Sequence, residues 1–179
     1  MIILQVLYFM LPAYCANMAP VFATKIFGQK FNWPLDFGLQ IKDKPLLGKN
    51  KTWRGLAAGI ILGIVIVYLQ RYLYNLDWAK DLSLFDYSKI NLWLAGFLFG
   101  FGVILGDAIK SLIKRRKNLQ PGAKWFPWDQ MDFLGALVLI HFVYIPDLLV
   151  VLIIIIVSPF LPLITNYVGY ILNIKKVAW

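Results

Sequence analysis

The chain has 179 residues, 60% of them hydrophobic, and its 18 Lys and Arg against nine acidic residues give a formal net charge of +9. A mean hydropathy of +0.69, with apolar runs close to the ~20 residues that cross a bilayer, excludes an ordinary soluble domain. The single cysteine, Cys15, excludes an internal disulfide and a cysteine-based metal site. The composition therefore predicts an all-α integral membrane protein with one domain over residues 1–179.

Five apolar segments are predicted to form transmembrane helices. They cover about 2–22, 54–74, 91–112, 130–146 and 148–173. The first segment has no Lys or Arg before its apolar run, so we expect a retained span rather than a cleaved signal peptide. Pro159 and Pro162 predict a kink or break in the fifth segment.

The loops between these segments predict the direction of insertion. Residues 23–54, residues 110–129 and the C-terminal Lys175 and Lys176 hold 15 of the 18 Lys and Arg. The positive-inside rule therefore predicts an outside N-terminus and a cytoplasmic C-terminus in a multi-pass protein of the cell membrane. A polar cleft is then expected on the cytoplasmic side.

The third segment carries an acid inside its apolar run. Asp107, Ser111 and Lys114 are spaced i, i+4 and i+7, so they share one face of a helix. Asp107 lies about one turn inside the predicted membrane boundary, where a charged side chain is costly and usually functional. An ion pair with Lys110 or Lys114 that only closes the helix end is the alternative.

A second acidic pair stands at the start of the fourth segment. Asp129 and Asp132 are spaced i, i+3 and are predicted to share a helix face, although acids at a helix N-terminus also stabilise its dipole. Magnesium prefers one or two carboxylates completed by water and substrate phosphates. The chain has no Glu and only one His, His141, which favours magnesium over zinc. We therefore predict a Mg²⁺ site at Asp129 and Asp132, with Asp107 as a further ligand.

Basic residues flank both acidic positions. The cluster Lys114–Lys117 is followed by a Pro121-Gly122 turn and Lys124, and arginine and lysine are common phosphate-binding residues. The segment Gly48–Gly55 opens the second span on the same membrane side, and Thr52 is placed to cap that helix. The segment lacks the Walker pattern of a P-loop.

These residues resemble the signature of the CTP-dependent cytidylyltransferase family of membrane enzymes, which includes CDP-diacylglycerol synthase. The matching positions are Ser111, Lys114-Arg115, Pro121-Gly122 and Asp129-Gln130-Met131-Asp132. Gln130 stands where the signature has Arg, and the Lys-Asp pair expected before the Pro-Gly turn is absent. The short chain, the five spans, the Asn50–Gly55 segment and the Asp-Gln-x-Asp variant resemble the archaeal branch, the CDP-archaeol synthases.

The resemblance implies cytidylyl transfer from CTP to an unsaturated archaeal ether-lipid phosphate, 2,3-bis-O-geranylgeranyl-sn-glycerol 1-phosphate. The products would be CDP-archaeol and pyrophosphate, in membrane phospholipid biosynthesis. It implies Mg²⁺, CTP, the isoprenoid lipid phosphate and membrane lipids as cofactor and partners, and no nucleic acid. The implied catalytic residues are Asp107, Asp129, Asp132 and Lys114. The implied CTP and phosphate contacts are Asn50, Lys51, Thr52, Arg54, Ser111, Lys114, Arg115 and Lys124.

Two other functions use part of the same pattern. A cation or proton transporter would use Asp107 but leave the second acidic pair and the basic loops without a role. A non-catalytic scaffold for anionic lipids would use the basic residues but not the acids. The enzyme hypothesis requires the inner ends of the second, third and fourth helices to meet in one pocket.

Overall fold

A computed structural model describes residues 1–120 and 123–171, and most of them are helical. The helices are α1 Ile2–Phe27, α2 Trp53–Leu73, α3 Asp77–Leu82, α4 Leu92–Arg116, α5 Phe133–Ile140, α6 Leu148–Val157 and α7 Phe160–Ile171. The first loop contains a small antiparallel hairpin, β1 Gln40–Ile41 and β2 Lys44–Pro45, and Trp128–Gln130 form a 3₁₀ turn. The predicted Pro121-Gly122 turn and the C-terminal lysines lie outside the described residues.

Among the described residues, three helices, α1, α2 and α4, are long and apolar enough to cross a bilayer. Helix α2 begins at Trp53 because the Thr52 hydroxyl accepts a hydrogen bond from the Gly55 amide at 3.1 Å, as its predicted capping role requires. Helix α4 continues to Arg116, about one turn beyond the predicted span, so Lys114 and Arg115 are helical as well.

Helix α4 packs against α2 and α5 through glycines. A Cβ added at Gly100 would lie 2.6 Å from the Gly59 carbonyl oxygen, and one added at Gly102 would lie 2.6 Å from the Ala136 Cα. Backbones approach this closely only where side chains are absent from the contact. On the same level of the molecule, Phe9 of α1 packs edge-to-face on Phe99, with centroids 5.4 Å apart. The apolar core therefore surrounds the N-terminal half of α4.

The fourth predicted segment, 130–146, forms a much shorter helix than expected. Helix α5 has eight residues, or about 12 Å, and the chain then turns at residues 141–143 and leaves helical geometry before Pro146. Pro146 disfavours helical geometry at Ile145, so it opposes continuation of a helix through the predicted end of this span.

The predicted common helix face for Asp129 and Asp132 is wrong. Asp129 lies in the 3₁₀ turn, and Asp132 is the residue before α5. In the fifth segment, α6 ends at Val157 and α7 begins at Phe160, which confirms the break expected at Pro159.

Candidate functional site

A polar cavity of about 620 Å³ lies where the C-terminal half of α4 meets the first loop. Among the described residues, its charged lining consists of six basic and three acidic side chains: Lys49, Lys51, Lys110, Lys114, Arg115, Lys124, Asp36, Asp107 and Asp129. The positive excess favours an anionic ligand. Ser111 and Asn50 also line the cavity, so the predicted face of α4 and the segment before α2 meet there.

Two carboxylates in the site share one ammonium group. Lys110 Nζ lies 3.3 Å from Asp107 Oδ1 and 2.5 Å from Asp132 Oδ1. Asp107 also pairs with Lys51, which joins the start of α2 to α4. From α1, the Asn17 amide donates a hydrogen bond to Asp132 Oδ2 at 3.4 Å. Four segments of the chain therefore converge on one charge cluster.

Asp129 belongs to a neighbouring pair rather than to this cluster. Lys114 Nζ lies 2.7 Å from Asp129 Oδ1 and 2.6 Å from the Ala123 carbonyl oxygen, while Asp129 Oδ2 accepts the Trp125 amide at 2.7 Å. Lys110 links the two groups, because it also donates to the Asp129 carbonyl oxygen at 2.9 Å. Asp132 pairs with Lys110, and Asp129 pairs with Lys114 one turn further along α4. The two acids therefore lie in different ion pairs.

The donor set is compatible with a divalent cation. In the described part of the chain, no three Asp, His or Cys side chains are grouped as a complete metal site. However, Asp107 and Asp132 already surround a single cation, the Lys110 ammonium, and the Asp132 side chain is mostly buried. Two carboxylates with water and phosphate oxygens are an ordinary magnesium environment.

Two predicted phosphate contacts have other partners in the structure. The Arg54 guanidinium donates to the carbonyl oxygens of Gly28 and Lys30 at 2.8 and 2.7 Å and to the Thr24 hydroxyl at 2.9 Å. It therefore ties the start of α2 to the chain that follows α1. The Thr52 hydroxyl is the helix cap described above.

A second cavity of about 620 Å³ lies between α1 and α2. It shares four lining residues with the first: Lys49, Asn50, Lys51 and Asp107. Arg54 and Thr52 line this second cavity. The Lys51–Asp107 pair thus stands between two polar spaces, each large enough for part of a ligand.

The wall formed by the first loop is held by a buried acid that the sequence interpretation left without a role. The Asp36 carboxylate accepts hydrogen bonds from the amides of Leu47, Gly38 and Gly48 at 2.8, 3.0 and 3.2 Å. Burial acts to raise the pKa of Asp36, but these amides outweigh it and hold the pKa below its usual value. The ionised side chain therefore fixes the loop.

Arg116 attaches the hairpin of the same loop to α4. Its guanidinium donates to the carbonyl oxygens of Ile41 and Pro45 at 2.8 and 2.7 Å. This arginine belongs to the predicted basic cluster, and it contributes to the site by holding the cavity wall.

Lys110 and Asn17 are the site residues that the sequence interpretation missed. Lys110 was considered only as a helix-closing partner of Asp107. Its spacing carried the signal, because positions 107, 110, 111 and 114 all fall within one face of α4. Asn17 carried a weaker signal as an amide in the middle of an apolar helix.

The chain is similar over its full length to known proteins. The family described as CarS-like CDP-archaeol synthase matches residues 1–179. The chain is 35% identical over 179 residues to the CDP-archaeol synthase of Pyrococcus furiosus, with 99% of this chain and 98% of the relative covered. It is 32% identical over 185 residues to that of Archaeoglobus fulgidus, with 99% and 98% covered.

A solved structure resembles the fold as well. It is described as "Structural insight into an intramembrane enzyme for archaeal membrane lipids biosynthesis", and its TM-score to this chain is 0.70 at 29% identity. The match covers 92% of this chain and 94% of the other.

Proposed function

Because the chain belongs to the CDP-archaeol synthase family of lipid cytidylyltransferases, we propose that it transfers the cytidylyl group of CTP to 2,3-bis-O-geranylgeranyl-sn-glycerol 1-phosphate. The products are CDP-archaeol and pyrophosphate. The enzyme is a membrane transferase of lipid biosynthesis. The observation that supports this reaction is the cavity in which basic side chains outnumber acids beside the paired carboxylates of Asp107 and Asp132.

The chemistry required of the protein is mainly electrostatic. A lipid phosphate is already an oxygen nucleophile near neutral pH, so the site has to bring two anions together and offset charge on the leaving pyrophosphate. Lys51, Lys114 and Arg115 extend into the cavity from two helix ends and can bind the phosphates. Asn50, Ser111 and Lys124 complete the polar lining around them.

We assign the predicted metal to the same acids. Asp107, Asp129 and Asp132 would hold Mg²⁺, which would supply Lewis-acid polarisation of the reacting phosphoryl group. Lys110 and Lys114 hold the carboxylates of Asp132 and Asp129 in place by ion pairs. Arg54 and Thr52 act indirectly, by fixing the start of the helix that presents Lys51.

The orientation follows from the charge asymmetry of the loops. We propose five membrane spans in the cell membrane, with the N-terminus outside and the cavity facing the cytoplasm, where CTP is available. The fourth span then consists of the short helix α5 and the chain that follows it to Pro146.

A reconstituted assay tests the reaction and the metal together. Purified protein with labelled CTP, the lipid phosphate and Mg²⁺ should release pyrophosphate and form a CDP-lipid, and EDTA should stop both. Asp107→Asn and Asp132→Asn should remove nearly all activity in folded protein, whereas Asp77→Asn, at the other end of the bundle, should not. Full activity in both site variants would overturn the metal assignment. Proton or cation flux across vesicles without CTP consumption would instead favour a transporter.

A further inference from the structure

A third, apolar space adjoins the polar cavity. It is a groove of about 320 Å³ between α4 and α5. Its described lining is apolar except for one lysine: Leu105, Gly106, Ile109, Lys110, Ile113, Trp125, Trp128, Met131, Leu134, Gly135, Val138 and Leu139. The proposed reaction gives no role to this groove.

Lys110 connects the groove with the site. It lines both the groove and the polar cavity, while its ammonium pairs with Asp107 and Asp132. A lysine can bury its aliphatic stem along apolar surface and keep its charge in a polar region. The side chain therefore marks the point where an apolar channel meets the cavity that holds the charged groups.

The groove has the direction that a lipid chain needs. Ile113 and Leu105 line it eight residues apart on α4, so it follows the helix for about 12 Å. Its Ile113 end lies beside the polar cavity, and its Leu105 end lies in the apolar part of α4. A molecule whose phosphate is in the cavity can extend a hydrocarbon chain along this path into the membrane.

Aromatic contacts fix the walls of the groove near its polar end. Trp125 and Trp128 lie with their ring centroids 5.8 Å apart, and Lys117 Nζ lies 4.8 Å from the Trp125 ring centroid. Such a cation–π contact orients the indole. At the base, Gly106 and Gly135 bring the α4 and α5 backbones into close contact, so backbone atoms line the groove there.

We infer that the α4–α5 groove binds one isoprenoid chain of the lipid phosphate substrate, with Lys110 at the junction between chain and headgroup. The inference rests on the proposed function, because that function supplies a phosphate in the polar cavity. Two features select this occupant: the groove shares Lys110 as a lining residue with a cationic cavity, and that lysine, the one charged residue in the described lining of the groove, is a cation suited to a phosphate.

Filling the groove tests the inference. Ile109→Trp places an indole in the groove, and Ile61→Trp is the matched control, because Ile61 is also exposed on an apolar helix but lines none of these three cavities. Ile109→Trp should raise KM for the lipid phosphate about tenfold or more, since the chain loses apolar contact. KM for CTP should not change, and Ile61→Trp should leave both values unchanged.

Photocrosslinking gives a second readout that does not depend on turnover. A lipid phosphate with a diazirine in one isoprenoid chain should label residues 105–113 and 131–139 of the wild-type protein. Excess unlabelled lipid phosphate should displace the label, and the same lipid without phosphate should not. This measurement also decides the matter if Ile109→Trp fails to fold.

The possible failures are distinguishable. If wild-type protein makes CDP-lipid but Ile109→Trp binds the lipid normally and the label lies elsewhere, the groove inference is wrong and the function stands. If wild-type protein makes no CDP-lipid, the proposed function is wrong. In that case phosphate-dependent labelling of the groove still supports a lipid phosphate site, and labelling spread equally over α2 overturns it.

Discussion

The two halves of α4 hold their neighbours in opposite ways. In the N-terminal half, Gly100 and Gly102 allow α2 and α5 to approach until backbones touch, and no charge is involved. In the C-terminal half, Lys110 and Lys114 pair with Asp132 and Asp129 ahead of α5, and Asp107 pairs with Lys51 ahead of α2. The glycine contacts allow only one packing of the neighbouring backbones, whereas the ion-paired side chains can exchange partners. The rigid half therefore positions the charged side chains of the polar half, which can then bind a ligand.

The largest effect is expected from removing the central cation of the polar half. Lys110→Met leaves Asp107 and Asp132 mostly buried beside each other, and breaking such a pair from one side costs about 3 kcal/mol or more. Thermal unfolding in EDTA should show a clearly lower Tm than wild type. Mg²⁺ should restore more stability to this variant than to wild type, because the ion replaces the lost positive charge.

Lys89→Met provides the matched control for that change. Lys89 pairs with Asp86 at 3.4 Å on the exposed surface, where ion pairs contribute little. Its Tm should equal that of wild type. An equally small effect of Lys110→Met on Tm would show that the polar cluster does not stabilise the fold. The ion pairs of the C-terminal half of α4 would then not hold its neighbours as the glycine contacts do.

The next effect concerns the rigid half. Gly100→Leu forces a side chain into the Gly59 and Ile60 backbone, and overpacking of this kind costs about 1–3 kcal/mol or prevents folding. Ala57→Leu places a leucine on the exposed face of α2 and should have little effect on Tm. If Gly100→Leu folds with normal stability, α2 and α4 are not held by close backbone contact.

A smaller, pH-dependent effect is expected in the loop that walls the cavity. The folded pKa of Asp36 is lowered, so its ionised form stabilises the loop fully above the ordinary value of about 3.9. That contribution is lost as the pH falls through the lowered folded pKa. The protection factors of the Leu47 and Gly48 amides, which correct for the intrinsic pH dependence of exchange, should therefore decrease at acid pH in wild type.

Asp36→Asn isolates this contribution. The variant should exchange faster than wild type at neutral pH, because a neutral amide is a weaker acceptor for three backbone amides. The protection factors of these amides in the variant should also lose the pH dependence seen in wild type below about pH 4. A variant that retains the wild-type acid profile would assign the effect to another group.

The sequence could predict the parts of this architecture that depend on composition and spacing. The apolar runs predicted the long helices, and the i, i+4, i+7 spacing predicted that Asp107, Ser111 and Lys114 face one space. Pro159 predicted the break in the last apolar segment. These features are local, because each depends on residues within a few turns of one another.

Other parts depend on contacts between segments and were not predictable in this way. Helix α5 ends at Ile140 although the largely apolar run continues to Ile145, so hydrophobicity alone extended the helix too far. The division of Asp129 and Asp132 between two lysines requires the position of α4 to be known. The same holds for Arg54, whose three nearest partners lie more than 20 residues earlier in the chain.

The smallest expected effect decides between two roles of Thr52, which the sequence placed among the CTP contacts and the structure places at the start of α2. Thr52→Ala should lower stability by about 1 kcal/mol through loss of the cap to Gly55, and Thr52→Ser should restore it. Since Thr52 precedes the helix that carries Arg54 and follows Lys51, a loose cap would also weaken the Lys51–Asp107 pair between the two polar cavities. Calorimetric titration with CTP separates the roles: a cap changes Tm with at most a small change in Kd, whereas a direct contact lowers affinity in Thr52→Ala even when Tm is unchanged.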